Sequence, residues 1–525
     1  MSQAEKNVCV IGAGGSGLVA AKELLDEGHR VTCFERYDQL GGVFCPSVDA
    51  NRPGAYDSTK LTISNYMMNF SSFPPPRQQE RRYWSAGEYH RYLTDFARHF
   101  DLDRVICYRT EVVSVKRADN GTYDVEVRST DEPAHTAVHQ FDAVAVTTGT
   151  HRVPRYIELP GQSDFDGEIH HSAFYKNADS FRGKRVLCIG IGETAADVVN
   201  EIALVAGNCT LSVRRHQPVI ARYPNGGVHT NDAYTSYMLH AMPFETRNRI
   251  SRHQFGKMKR SAKSESARMV AEWNLNNSHY YNHFFTKNEA FIDRIVDGTL
   301  IVNSSGIERL GKDYVLFKDG QKEPVDTIML NTGYTEDFGI IKDADIKDVR
   351  LMYKHMIHPE FGSGLVFIGW ARPAEGGVPA CSEMQSRYFA LLCSGKKNLP
   401  DQIRLTELIT QQAAFENEAY FGNPELRTLV HYTRYMNDFA KIIGCSPWHP
   451  SIFRNPRLAY RLWCGSQMPH IYRLFGPHSD YETAKETIFN VPIAWSPRSV
   501  VLTTGATGVV YVLARLGLVK PDPAY

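Results

Sequence analysis

The sequence lacks an excess of charge of either sign: Lys+Arg 59 stand against Asp+Glu 58 in 525 residues. It has no Lys/Arg run interleaved with aromatics either, so composition argues against a nucleic-acid partner. Organised cysteine is also missing. The ten cysteines are scattered, and no two stand at the Cys-x-x-Cys spacing of a zinc or dithiol site, so no metal centre is expected. Cys9, Cys33 and Cys188 lie inside apolar runs, where they read as small buried hydrophobes in a reducing compartment. No basic, apolar and small-residue leader opens the chain. "MSQAEKNVCVIG" enters a strand directly, and an intracellular protein is expected. No Ser/His/Asp or paired-carboxylate pattern stands out, which leaves the hard chemistry to a cofactor.

What is present is a repeated opening. Residues 7–12, "NVCVIG", and 184–190, "KRVLCIG", are short apolar runs ending in glycine. Each enters a Gly-rich turn, a helical stretch and a further strand, "RVTCFE" in one case and "CTLSVRR" in the other. Strand, glycine turn, helix and strand open a Rossmann unit. A chain of this length implies two or three domains, and two such openings imply two nucleotide domains in an α/β architecture. "DAVAVTTGT" (142–150) and "DTIMLNTGY" (326–334) read as strands leading out of the two units. The expected division is 1–180, an inserted unit 181–325 with a helical stretch 225–285, then 326–495 returning to the first unit. The apolar tail is 496–525. No internal repeat is expected beyond the two openings.

The first turn is Gly12-Ala-Gly14-Gly-Ser-Gly17. Gly12 suits the tight turn, Gly14 a close pyrophosphate, and Gly17 close packing of helix on strand. Glu35 ends the next strand, where a carboxylate accepts the ribose hydroxyls and repels a 2′-phosphate. That argues for FAD or NAD, and the second glycine pair in Gln39-Leu40-Gly41-Gly42-Val43 selects FAD. The second turn is Gly190-Ile-Gly192-Glu193-Thr194-Ala195, with alanine at the third glycine position. Its following strand ends in Ser-Val-Arg214-Arg215, with no acid where Glu35 stands. A guanidinium there pairs with the 2′-phosphate of NADPH. Arg214 is assigned to that contact, and Arg215 reads equally as a contact or as solvated.

Phe165-Asp-Gly167-Glu-Ile-His-His171-Ser-Ala-Phe-Tyr175 spells FxGxxxHxxx(Y/F) immediately before the second unit. With this signature the chain resembles the flavin-containing monooxygenases. "TCFERYDQLGGVF" (32–44), "NTGYTEDF" (331–338), "FIGWARPAEGGVPACSEMQSRY" (367–388) and "YRLFGPHSDYETAKETIF" (472–489) extend the similarity to about residues 5–495. The resemblance implies a two-dinucleotide-binding-domain flavoprotein, a Rossmann-like FAD domain with an inserted Rossmann-like NADPH domain. It further implies cofactor contacts at Val112, Thr148, Gly149, Thr332, Gly333 and Gln385, and at Lys287 and Asn288 where the insert returns toward the nicotinamide. His171 is expected to shape the linker and not to move a substrate proton.

By the same resemblance, NADPH reduces FAD, O2 adds at the flavin C4a, and the resulting hydroperoxide passes an oxygen atom to an amine nitrogen or a sulfide sulfur. Baeyer–Villiger oxygenation of a ketone and a non-oxygenating oxidase or redox sensor are the alternatives. A disulfide reductase is a poor fit, because Cys33 and Cys45 are too far apart in sequence for its CxxxxC pair. The family places an asparagine beside the flavin ring, and Thr62 occupies that position in a gapless alignment. Either Thr62 substitutes for it or Asn65 reaches in from a shifted loop. The tail 499–519, whose only charge is Arg515, is expected either to attach to a membrane, as in the endoplasmic-reticulum members, or to dock as a terminal helix.

Overall fold

The computed structural model describes residues 5–516, apart from 48, 50, 78, 225, 226 and 278. Two five-stranded parallel sheets organise them. The first runs Leu365–Phe367, Ala143–Val146, Asn7–Ile11, Arg30–Phe34, Ile106–Cys107. The second runs Ile301–Asn303, Asn208–Ser212, Arg185–Ile189, Thr327–Leu330, Glu168–His171. The central strands are apolar throughout, as strands covered on both faces must be. Val8, Cys9 and Val10 are buried in one sheet and Val186, Leu187 and Cys188 in the other.

The internal repeat goes deeper than the two openings. In both units the third strand is followed by a three-stranded antiparallel meander, and the chain then returns to the fourth strand beside the first. The meanders are Thr110–Arg117, Tyr123–Ser129 and Thr136–Phe141 in one unit, and Ile307–Leu310, Tyr314–Phe317 and Lys322–Pro324 in the other. Sequence comparison misses this because the meanders share only alternation of buried and exposed positions, and alternation carries no residue identity. The second sheet also reaches past the expected 181–325 limits at both ends. Its edge strand Glu168–His171 comes from within the signature segment, and Thr327–Leu330 pairs with both that strand and Arg185–Ile189. Gly167 permits this, since a Cβ there would lie 2.3 Å from the Asp326 carbonyl oxygen.

The tail forms the helix Pro497–Arg515, capped by the Ser496 side chain. Among the described residues no helix is long and apolar enough to cross a membrane, and residues 517–519 of the expected segment lie outside the described residues. Val500 and Thr507 are buried, with Thr507 Oγ1 donating to the Met238 carbonyl and Trp463 Nε1 donating to Thr504 Oγ1 at 2.9 Å. The tail therefore docks on the insert's helix Tyr237–His240 and on Pro456–Cys464, leaving Val501, Leu502, Val509 and Val512 exposed.

The C-terminal third is tied to the first unit by one buried cation. Arg473 donates to Glu383 Oε1 at 2.8 Å and to Ser71 Oγ at 2.8 Å, and pairs with Glu23 on the helix Gly15–Asp26. Burial alone would raise the Glu23 carboxyl, but Arg473, Lys22 and Arg387 together hold it well below the usual carboxylate range. Arg473→Met should cost about 3–5 kcal/mol, because it leaves buried Glu383 without its cation and Glu23 with Lys22 alone. Denaturant titration checks this. A carboxyl depressed in the folded state stabilises above its unfolded pKa, and that stability is lost as pH falls through the acid range. The variant should lack this part of the acid-side decline.

Candidate functional site

The first sheet presents its Gly-rich turn, and the second the helix start just after its own, to one cleft. On the first side it is lined by Gly12, Gly14, Glu35, Gly41, Gly42, Val43, Val112, Thr148 and Gly149, with Thr62 on the wall. On the second side it is lined by Glu193, Thr194, Asp197 and Lys287.

The first turn is shaped as a dinucleotide cradle. A Cβ on Gly17 would sit 1.8 Å from the Gly12 carbonyl oxygen, so the helix Gly15–Asp26 can approach its strand this closely only with glycine there. A Cβ on Gly42, whose φ is +59°, would lie 3.2 Å from Gly14 Cα. The two glycine pairs thus face each other across the cradle, and Gly41 N–H donates to the Ala13 carbonyl at 2.9 Å. Glu35 is buried at the strand end. Its carboxylate accepts from Ala13 N–H at 2.7 Å and from Tyr37 N–H at 3.0 Å. A carboxylate has about four acceptor directions, so two stay free for ribose hydroxyls. These residues fit FAD. Gln39 and Leu40 stand behind the cradle: Leu40 is buried, and its carbonyl contacts His90 Nε2 at 3.2 Å.

The second turn differs in the expected way. Ala195 is almost wholly buried in the helix Glu193–Val205, so close packing there tolerates a methyl group. Gly190 takes φ +93°, and Gly192 caps the helix with no side-chain bond to its first N–H groups. Lys287 is buried and donates to Glu193 Oε1 at 3.0 Å at the mouth of this turn. Arg214 is exposed just beyond the strand Asn208–Ser212, with no side-chain partner among the described residues. A glycine turn, an uncapped helix start and a free guanidinium at the strand end fit NADPH.

Many expected site residues do not line the cleft: Gly17, Gln39, Leu40, Gly190, Gly192, Ala195, Arg214 and Asn288 stand around it, and Asn65, Gln385, Thr332 and Gly333 are engaged elsewhere. Asn65 is fully buried, donating to the Glu80 carbonyl at 3.0 Å and accepting from Arg82 N–H and Tyr66 N–H at 3.1 Å. Its amide is used up in folding the loop 64–82, and of the two candidates only Thr62 lines the cleft. Gln385 is equally buried, bonded to Gly369 N–H at 2.9 Å and the Tyr435 hydroxyl at 2.8 Å. Thr332 bonds the Arg155 carbonyl and His171 Nε2, and with Gly333 holds the crossing between units. His171 also accepts from Ala173 N–H at 3.0 Å, and desolvation lowers its pKa. Both ring nitrogens are committed, which suits a neutral structural histidine. Phe165 packs against the second unit's core.

The residues that sequence reasoning missed bind the units to each other. Asp197 accepts from Arg222 at 3.1 Å, from Tyr56 and from Asn288. One helical turn on, Glu201 accepts from Tyr175, the last residue of the signature, at 2.7 Å and from Ser58. The loop that carries Thr62 is thereby fastened to the helix that opens at Glu193. Backbone bonds reinforce it, Gly54 N–H to the Ala173 carbonyl and Asp57 N–H to the Lys176 carbonyl. A signal for this was present. Glu193, Asp197 and Glu201 recur every four residues, which places three carboxylates on one helix face.

Comparison with known proteins agrees with this geometry. The chain matches the family described as Flavin-binding monooxygenase-like over residues 5–499. It is 37% identical over 497 residues to a 4-hydroxybenzoate brominase (decarboxylating) of Marinomonas mediterranea, covering 93% of each. It is 31% identical over 514 residues to the N-oxide-forming dimethylaniline monooxygenase 2 of Mus musculus, covering 92% of this chain and 91% of that one. Among solved structures, S-allyl-L-cysteine S-oxygenase from Allium sativum superposes with TM-score 0.62 at 24% identity, covering 93% of this chain and 100% of that one. At that identity the likeness is one of fold.

Removing the hydroxyls that hold the Thr62 loop, in the double variant Tyr56→Phe, Ser58→Ala, should cost about 1.5–3 kcal/mol for each hydrogen bond to a charged acceptor. The fold should survive this. The loop would then be free to shift relative to the second turn. Hydrogen peroxide released per NADPH oxidised should rise several-fold, as measured by a peroxidase-coupled assay. An unchanged ratio would show that the loop needs no tether.

Proposed function

The chain belongs to the flavin-binding monooxygenase-like family, whose cofactors are FAD and NADPH, and from that premise we propose that it transfers one oxygen atom of O2 to a soft nucleophile held in the cleft. The observation that carries this reading is the single cleft shared by both nucleotide turns, with Thr62 on its wall. FAD bound on the first side and reduced by NADPH from the second supplies the oxygen-activating chemistry. The chain's own residues bind, orient and exclude water. In this reading Gly12, Gly14, Gly41, Gly42 and Glu35 hold FAD. Gly190, Gly192, Glu193, Thr194, Lys287 and Arg214 hold NADPH. Thr62 offers one hydroxyl where the family pattern has an amide, and so one donor at the reacting face.

Bromide is the first candidate nucleophile, because the brominase likeness extends over nearly the whole of both chains. Two electrons from NADPH and two from bromide would reduce O2 to two waters. The oxidised bromine would replace a ring substituent of an electron-rich aromatic acceptor such as 4-hydroxybenzoate. An amine nitrogen or a sulfide sulfur is the second candidate, supported by the likeness to an N-oxide-forming enzyme. The deciding experiment gives the FAD-loaded protein NADPH, O2 and either bromide with 4-hydroxybenzoate, N,N-dimethylaniline or a thioether, and follows products by mass spectrometry. Brominated aromatic matching the NADPH oxidised is the expected result. N-oxide or sulfoxide alone would select the second candidate, and stoichiometric hydrogen peroxide in every arm would overturn the proposal.

Arg214→Ala should raise the KM for NADPH far more than that for NADH, by about 2–5 kcal/mol in apparent binding if the phosphate pair is desolvated. The exposure of Arg214 places the effect at the lower end of that range. Equal movement of both KM values would remove Arg214 from the phosphate site.

A further inference from the structure

Among the described residues, one guanidinium lining the cleft makes neither a hydrogen bond nor an ion pair. Arg372 lines the cleft opposite Lys287 and beside Phe284, His151 and Tyr334. The other cleft arginines are engaged: Arg152 forms an ion pair with Asp337, and Arg36 donates to the Tyr37 hydroxyl at 2.7 Å. Lys287 is paired with Glu193, and Lys60 is exposed to solvent. The Arg372 side chain makes no ion pair or hydrogen bond among the described residues. Its guanidinium carbon lies 4.6 Å from the centre of the Phe284 ring. Its backbone N–H is fixed by the Thr428 carbonyl at 2.7 Å, so its base is anchored and its head faces the cleft.

The surroundings are aromatic and partly exposed. The His151 and Tyr334 rings pack edge to face with centroids 4.8 Å apart, and His151 Nδ1 is engaged by Thr150 Oγ1 at 3.0 Å. Desolvation and the neighbouring Arg372 lower His151 to about 3, so the imidazole stays neutral and adds no second cation. Burial also lowers the pKa of the guanidinium itself. Glu193 and Glu336 are the nearest acidic influences on Arg372, and neither pairs with it. A half-buried charge without a partner is costly, and a planar fork of donors among aromatic faces matches a planar carboxylate on a ring.

Resting on the oxygen-transfer reading above, we propose that Arg372 is a specificity-determining binding residue that holds the carboxylate of an aromatic substrate, with Phe284, His151 and Tyr334 as walls for its ring. A protonated amine is repelled by the same charge. The second source of an anion in this cleft is the phosphate of the nicotinamide cofactor, and the test separates the two.

The FAD-loaded chain is titrated with benzoate, phenol and NADP+ in turn, each followed by the change in the bound flavin's visible spectrum. The native chain should bind benzoate at least tenfold more tightly than phenol. In Arg372→Gln the benzoate Kd should rise tenfold or more, while the phenol and NADP+ values stay within twofold. Arg372→Lys, which keeps charge but loses the bidentate fork, should fall between them, and retained FAD reports that both variants are folded. A rise in the NADP+ Kd with benzoate unchanged would make Arg372 a cofactor phosphate contact and overturn the proposal. So would equal binding of benzoate and phenol by the native chain. Because binding is read without turnover, a protein that binds benzoate through Arg372 yet oxygenates nothing would sink the oxygen-transfer reading and leave this assignment standing.

Discussion

The distance between the two nucleotide turns is the constraint on which the rest depends, and the helix Glu193–Val205 sets it. Its first residue stands at the second turn, and its next two turns present Asp197 and Glu201 to the first unit. A helix is stiff at this length, with a rise of about 1.5 Å per residue. Whatever holds Asp197 and Glu201 therefore also places Glu193 and Thr194. Tyr56, Ser58, Tyr175, Arg222 and Asn288 hold them from four separate segments. Hydride transfer between two bound nucleotides is sensitive to about 1 Å of misplacement, so a rigid ruler between them serves the chemistry directly.

Much of this was legible in the sequence, and for a physical reason. Both glycine turns and the acid at Glu35 could be read because close backbone approach and a strand end bonded to its own turn leave little choice of residue there. The linker signature was legible too, and Gly167 shows why its glycine is needed: the chain passes within contact of Asp326 there. Asn65 and Gln385 were placed wrongly because a polar side chain near a motif can face the cleft or the core, and only the fold decides. Asn65 spends its amide on Glu80 and Arg82. Arg372 drew no attention because an arginine beside a proline has no periodicity to read.

The duplication of sheet and meander gives one chain two dinucleotide turns built alike. In register Val213 stands where Glu35 does and Arg214 follows one residue on, so one strand end carries a carboxylate hydrogen-bonded to its own turn and the other a guanidinium open to solvent. The glycine-to-alanine change at Ala195 shows that the helix of the second unit packs less tightly on its strand than that of the first. In the first unit a Cβ on Gly17 would lie 1.8 Å from the Gly12 carbonyl. The units diverged most where the insert enters, between the second and third strands of the second sheet, and that insert supplies Phe284 and Lys287 to the cleft.

The insert also supports the segment that walls the cleft. Beneath its entrance Glu375 is bonded to His240 at 2.9 Å and to the fully buried Arg247 at 3.1 Å, which in turn contacts His431 at 3.2 Å. Burial would raise the Glu375 carboxyl, yet its bonds to His240 and the Arg247 guanidinium hold it at about 2. That cluster is closed on itself, with every charge answered by a neighbour, and it fixes the backbone at Gly376, where the cleft wall turns. Three residues earlier the same segment presents Arg372 with no such answer. A segment that neutralises one buried charge so completely and leaves the next open is rigid where it must support the wall and unpaired only where a ligand can complete it. The role proposed for Arg372 would give this part of the cleft a preference for anionic over cationic guests.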